Sequence, residues 1–291
     1  MSTEINKAFV QQFSSNLIRL AQQNGSKLAG TVMRKEVTGK YAHFDRLGAT
    51  VASKRTSRHG DTPLTDTPHS RRRVSLEDYE VADLIDSQDE VRLLIDPKGA
   101  YAKNMADALG RTLDDIIIDA ADGNATAVSS SDAASNVAVA HTVDEDFNTA
   151  NSDIIVEKVI EAKRIMMANE IQPDEETVFV LDSTSLHNLL QETEVASADY
   201  NSVKALVRGE PGTFMGFNFI QSERLNDSSE GFKNCLAYVK SGIGLAMGDD
   251  IKVKISERDD KSYATQVYAS LTAGAVRIEE EKVVVVEAYR A

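Results

Sequence analysis

SRHGDTPLTDTPHSRRRV (57–74) closes on three adjacent arginines and contains two histidines, two aspartates and two prolines, with only Leu64 and Val74 apolar. His59, Asp61, Asp66 and His69 are metal ligands by type. Their spacing matches no zinc signature and the prolines interrupt it, so a polar loop tip is the better reading. RRRVS offers Ser75 as a target for a basophilic kinase, a pattern too short and common to carry weight. Arg71, Arg72 and Arg73 are suited to phosphates or carboxylates. If this stretch is a strand, however, alternation puts Arg72 on the face opposite to the other two, and the three do not form one patch.

Outward from this tip, YAHFDRLGATVAS (41–53) alternates in part between apolar and polar side chains, as one strand of a ribbon would. On the other side, RRRVSLEDYEVADLID (71–86) returns with Val74, Leu76, Tyr79, Val81 and Leu84. The spacing predicts an extended hairpin over 34–85. Residues 34–73 hold ten basic and four acidic side chains, a net of +6. With −14 for the whole chain, the other 251 residues carry −20. Nine of those 40 residues are apolar, too few to fill a core. A segment this long and polar argues against a self-contained fold unless another molecule supplies contacts.

The remaining chain is rich enough in apolar residues, at 42% of the whole, to build a substantial core within its 291 residues. Ile5, Phe9, Phe13, Leu17 and Leu20 recur at helical spacing, predicting an amphipathic helix or an arm packed on a neighbour. DPKGAYAKNMADALGRTLDDIIIDAADG (96–123) predicts a long helix. Asp96 is suited to its N-cap and Pro97 to its first turn, Gly123 stops it, and its length is roughly 40 Å. NATAVSSSDAASNVAVAHT (124–142) reads as a surface loop or edge hairpin. A helix is expected over 153–171, a buried strand at TVFVLD (177–182), and a helix starting at STSLHNLLQ (183–191). A Gly/Pro turn and strand follow over 203–225, and strands close the chain. Strands and helices mix without a βαβ rhythm, so the expected class is α+β.

Several chemistries are excluded by pattern. No run of about 18 apolar residues predicts a membrane span. The first residues lack a signal-peptide pattern, and the single Cys235 permits neither an internal disulfide nor a cysteine zinc site, so cytoplasmic synthesis is expected. The acidic net charge argues against gripping nucleic acid as the main task. DEDFNTANS (144–152) begins like a calcium loop but has Thr149 and Ile155 where glycine and glutamate are required. Gly209, Gly212 and Gly216 have neither the lysine of a P-loop nor the context of a dinucleotide fingerprint. No nucleophile elbow appears. No catalytic residue, metal or cofactor is expected.

The order of elements resembles the major capsid proteins of tailed bacteriophages with the HK97-like fold. An N-terminal arm (1–33) precedes a basic hairpin (34–85) similar to the family's extended loop, or E-loop. Helix 97–122 resembles the spine helix of the peripheral domain (86–123), and 124–248 resembles the axial domain. There, LVRGEPGTFMGFNFIQSERL (206–225) is similar to the family's run of small residues followed by glycine, alternating apolar positions, serine and leucine. Strands over 249–291 resemble those that return to the peripheral domain.

The resemblance implies a structural subunit, not an enzyme, that self-assembles as pentamers and hexamers into an icosahedral shell around double-stranded DNA. It implies synthesis in the host cytoplasm and residence in the virion. It also implies a separate scaffolding protein, if any, and a portal. E-loop contacts with a neighbour are expected from Lys54, Arg55, Arg58, His59, Asp61, Arg71, Arg72 and Arg73, and N-arm contacts from Phe9, Phe13 and Leu17. Arg58 and Arg71–Arg73 are expected to meet carboxylates or loops of adjacent copies, because opposite potentials attract. Lys40 and Lys54 are available for crosslinking, though no flanking pattern marks a crosslink. Encapsulin shells share the fold and are the alternative. A nucleic-acid finger at 54–73 and a hydrolase with an unrecognised site are the readings from other classes.

Overall fold

The computed structural model describes residues 22–55, 57–58, 61–62, 64–85, 98–129, 133–148, 152–172, 174–191, 213–229 and 231–290. The expected arm helix with Phe9, Phe13 and Leu17 lies outside the described residues, as do His59, Asp96 and Pro97. The chain divides into two compact units, one of residues 1–26, 78–112 and 249–272 and the other of 27–77, 113–248 and 273–291. The division falls inside the long helix α1 (Lys98–Asp122) and inside the strands β13 (Ile243–Arg258) and β14 (Ala264–Arg277).

In the first unit, β14 lies between β13 and β4 (Glu77–Ile85). Thr265, Val267, Ala269 and Leu271 are buried while the residues between them are half-exposed, the period-two pattern of a sheet with one covered face. On the half-exposed face Thr272 donates to Asp78 (2.6 Å) and Tyr268 to Glu80 (3.1 Å). Gly110 of α1 has no room for a side chain, since a Cβ there would sit 2.7 Å from the Gly25 backbone. The next residue, Arg111, donates to Gln22 (3.0 Å) and to the Gln23 carbonyl (3.1 Å).

The second unit carries the main core. Its largest sheet has the order β7-β15-β12-β8-β10-β9, built from β7 (Thr142–Val143), β8 (Thr177–Leu181), β9 (Thr213–Phe214), β10 (Phe217–Gln221), β12 (Phe232–Val239) and β15 (Val283–Tyr289), with β11 (Asp227–Ser229) also on β12. All five residues of β8 are buried, because β10 pairs with it in parallel on one side and β12 antiparallel on the other. The predicted TVFVLD strand is therefore central. Asp182, fully buried, caps α3 (Ser183–Gln191) through the Thr184 and Ser185 amides and pairs with Arg290. Met215 and Gly216 both take positive φ, 53° and 82°, which makes the two-residue turn joining β9 to β10.

The predicted long helix is present, and its buried stripe runs through Met105, Leu109, Leu113, Ile117 and Ala121 at every fourth residue. In its second-unit portion, buried Asp114 accepts from the amides of Lys27 (3.0 Å) and Leu28 (3.1 Å), fixing the segment that leads into β1 (Met33–Glu36). β1 pairs in parallel with the first residues of β13. α2 (Val156–Ala168) has Lys158 fully buried, its ammonium donating to the carbonyls of Glu145 (3.1 Å), Ser152 (2.7 Å) and Glu287 (2.8 Å). Glu145 and Ser152, both in the stretch that began like a calcium loop, thus accept from a lysine.

Candidate inter-subunit interface

The predicted hairpin exists, with a shorter ladder than expected. β2 (Tyr41–Leu47) and β3 (His69–Ser75) pair antiparallel from Tyr41↔Ser75 to Leu47↔His69. Gly48 donates to the Pro68 carbonyl (2.8 Å), and a Cβ on Gly48 would meet the Pro68 ring at 2.6 Å. Proline offers no N–H to extend the ladder, and the described residues from 48 to 68 belong to no strand. The flanking strands leave the hairpin, β1 for β13 and β4 for β14. On its other side β3 pairs with β5 (Ala125–Val128), which pairs with β6 (Ala134–Val137). The small-residue stretch is therefore the edge hairpin anticipated above, and the four strands run β2-β3-β5-β6.

Alternation across β3 is as the sequence implied. Arg72 is buried, Arg73 half-buried and Arg71 exposed. The partners differ from expectation. Arg71 pairs with Asp45 directly across the ladder at 2.5 Å, and that hydrogen bond holds the Asp45 carboxyl below its ordinary value. Arg72 Nη2 donates to both oxygens of Glu280 at 2.8 Å. Arg73 stacks over the Tyr41 ring, 5.0 Å from its centroid. Carboxylates for Arg71 and Arg72 are thus found inside the subunit. Both are matched within the chain, Arg72 by a residue 208 positions away that folding brings beneath the sheet.

The loop beyond the ladder is different. Lys54, Arg55, Arg58 and Asp61 are exposed. Arg55 folds back onto its own loop, donating to the carbonyls of Ser57 (2.8 Å) and Arg58. Exposed apolar side chains accompany these charges, with Leu47, Val51 and Leu64 at 70%, 83% and 98%. Lys40 lies at the base of the hairpin, its ammonium 5.3 Å from the Tyr41 ring centroid.

The functional residues missed by sequence reading lie around Glu280. Arg46 of β2 donates to it at 3.1 Å, and fully buried Arg277 approaches at 4.0 Å. Burial pushes the Arg277 guanidinium down from its ordinary value and the Glu280 charge opposes that push. The run EEEK (279–282) between two apolar strands was the available signal, since four charges there need partners on folding.

The fold and this projecting, basic, partly apolar loop can be set beside known proteins. The profile of the family described as phage capsid protein matches residues 5–289. The chain belongs to that family. As a capsid protein it is a structural component of the shell, and its place is the virion. The capsid structure of the cyanophage P-SCSP1u is similar over 100% of this chain and 96% of that one, with 16% identity and a TM-score of 0.75. The capsid of Helicobacter pylori bacteriophage KHP30 is similar over 99% and 98%, with 10% identity and a TM-score of 0.71. The capsid of Ralstonia phage GP4 is similar over 97% and 95%, with 12% identity and a TM-score of 0.70. No curated protein sequence matches this capsid protein. Its fold is the HK97-like fold expected from the order of elements, and subunits of this family assemble as oligomers into a shell.

Proposed function

We propose that this capsid protein closes its shell through loop 48–68, which leaves one subunit and docks on the next. The observation that carries the reading is the exposed loop itself. Three bases, two acids (Asp61 and Asp66) and the apolar Val51 and Leu64 are exposed beyond a hairpin in which Arg71 and Arg72 are already paired. An apolar side chain left at 98% exposure gains by burial against another surface. The acceptor is the acidic strand β4 of a second copy. Its sequence EDYEVADLI has four carboxylates and no base, and among the described residues it ends the strand order β13-β14-β4, so that edge is suited to main-chain hydrogen bonds as well as charge. The domain plan follows the family: an N-arm over 1–33 that also reaches neighbours, the E-loop hairpin over 34–85, a peripheral domain from 86–123 with 249–291, and an axial domain over 124–248. The shell is icosahedral, built of pentamers and hexamers, has no catalytic role, and encloses double-stranded DNA. A net charge of −14 favours loose confinement of that DNA over tight binding. A separate scaffolding protein and a portal complete the assembly.

The test is a charge exchange. Lys54→Glu, Arg55→Glu and Arg58→Glu together leave the circular dichroism of the subunit unchanged and lower the assembled fraction at least about tenfold, roughly 1.4 kcal/mol per contact. The loss is larger at low salt. Adding Glu77→Lys, Glu80→Lys and Asp83→Lys to the same chain restores assembly in sedimentation. If the loop reversal leaves assembly intact, the docking reading falls. If assembly is lost but not restored, β4 is the wrong acceptor.

A further inference from the structure

We propose that Glu280 is a positioning residue that sets the attitude of the β2-β3-β5-β6 sheet, and with it the direction in which loop 48–68 leaves the subunit. The importance of that direction rests on the docking reading above.

Glu280 lies in a short turn between β14 and β15 and is 7% exposed. It grips two strands at once. Arg72 of β3 donates to both of its oxygens, and Arg46 of β2 to one of them. In the ladder Arg72 stands opposite Phe44 and Arg46 opposite Ser70, so the two arginines are diagonal neighbours on one face. A grip on one strand would be a pivot, whereas a grip on two adjacent strands resists rotation. Arg277, three residues before Glu280, extends the hold to the far edge. It donates to the Val137 carbonyl of β6 at 2.9 Å, and to the Ala121 and Gly123 carbonyls at the end of α1 at 2.9 and 2.8 Å. Both edges of the sheet, β2 and β6, are therefore tied to the four residues 277–280 that end β14 and open the turn, and Arg277 ties that stretch to the helix C-terminus.

The device depends chiefly on one carboxylate. Three guanidinium groups converge on Glu280, Glu281 reaches Arg46 at 3.9 Å, and the Asp122 charge also acts on Arg277. Without Glu280 the buried guanidinium groups repel one another and the tie between turn and hairpin is lost. The hairpin base does not detach, because Ala42, Phe44 and Val74 pack with Ala125, Ala246, Val276 and Ile278 in an apolar cluster. That cluster holds the sheet in place, and Glu280 adds directional bonds to two of its strands.

The experiment measures that angle on the unassembled full-length subunit. Cys235 is fully buried, so spin labels go selectively to Leu47→Cys at the end of β2 and Met167→Cys on α2, both exposed within the second unit. Pulsed dipolar spectroscopy is expected to give one narrow distance distribution. Glu280→Gln broadens it at least about twofold, and Glu280→Asp recovers part of the narrowing. Should Glu280→Gln fail to fold, Arg46→Gln, at the more exposed end of the grip, gives the same broadening in weaker form. An unchanged width in a folded Glu280→Gln subunit overturns the proposal. The docking reading is judged separately by assembling the same variant. Broadening with normal particles leaves the positioning role intact and argues against docking by this loop. A normal width with failed assembly does the reverse.

Discussion

Arg72 and Cys235 show how burial divides the residues that hold this subunit from those left to meet other molecules. A guanidinium at 6% exposure is tolerable only because Glu280 takes two of its hydrogen bonds. Breaking a pair of this kind by removing one member costs about 3–5 kcal/mol, far more than an exposed pair such as Arg71–Asp45 contributes. Cys235 is buried at the centre of β12, where desolvation pushes its thiol up to about 12. The thiolate is the reactive form, so the native protein is expected to resist alkylation by iodoacetamide at pH 8. Full reaction follows once denaturant opens the core. Mass spectrometry of the alkylated protein checks this, and rapid labelling of the native subunit would show that β12 is accessible.

At the scale of elements, the junction of β7 with β15 is the titratable one. The parallel register Val285↔Thr142 and Val286↔Val143 carries the chain of residues 144–145 alongside Glu287. Burial, and a hydrogen bond that the protonated Glu287 carboxyl donates to the Glu145 side chain, raise the Glu287 carboxyl to about 7. In the unfolded chain its value is about 4.3. The folded state therefore keeps a proton that the unfolded state releases, and this group's contribution to stability falls as pH rises from about 4.3 to 7. Asp144 faces the same carboxyl, and Lys158 donates to the Glu287 and Glu145 carbonyls from beneath. Melting temperatures across that window are expected to decline less in Glu287→Gln than in the native sequence. Equal slopes would remove Glu287 from the account. The hairpin elements divide by the same logic of burial. The β2–β3 ladder is satisfied by its own pairing and by β5, whereas the described residues past Gly48 and Pro68 join no ladder.

For the whole molecule, the uneven charge is the feature with consequences. Residues 34–73 carry net +6 in a chain of −14, but Arg46, Arg71 and Arg72 are paired within the chain, so the docking reading draws on the exposed loop charges alone; a head-to-tail contact repeated around a closed symmetry builds rings and shells. Purified protein, with scaffold where needed, is expected to form hollow particles in light scattering and negative-stain images. A monodisperse monomer under all assembly conditions would count heavily against the docking reading. The long helix, the buried β8 strand and the closing strands were legible because each rests on a local pattern of period 3.6 or 2. The N-cap, the arm and His59 fall outside the described residues, and the helix stop at Gly123 is where the sequence placed it.

The sequence by itself determined the α+β class, the principal elements, the facing of Arg71–Arg73 and the presence of a polar hairpin too poor in apolar residues to bury itself. These follow from side-chain chemistry and spacing along the chain. Only the tertiary structure decided which arginines are spent internally and which bases remain on the loop. Glu280 is more than two hundred residues from Arg72 and Arg46, and no periodicity encodes a pairing that exists only after the β14–β15 turn folds beneath the hairpin.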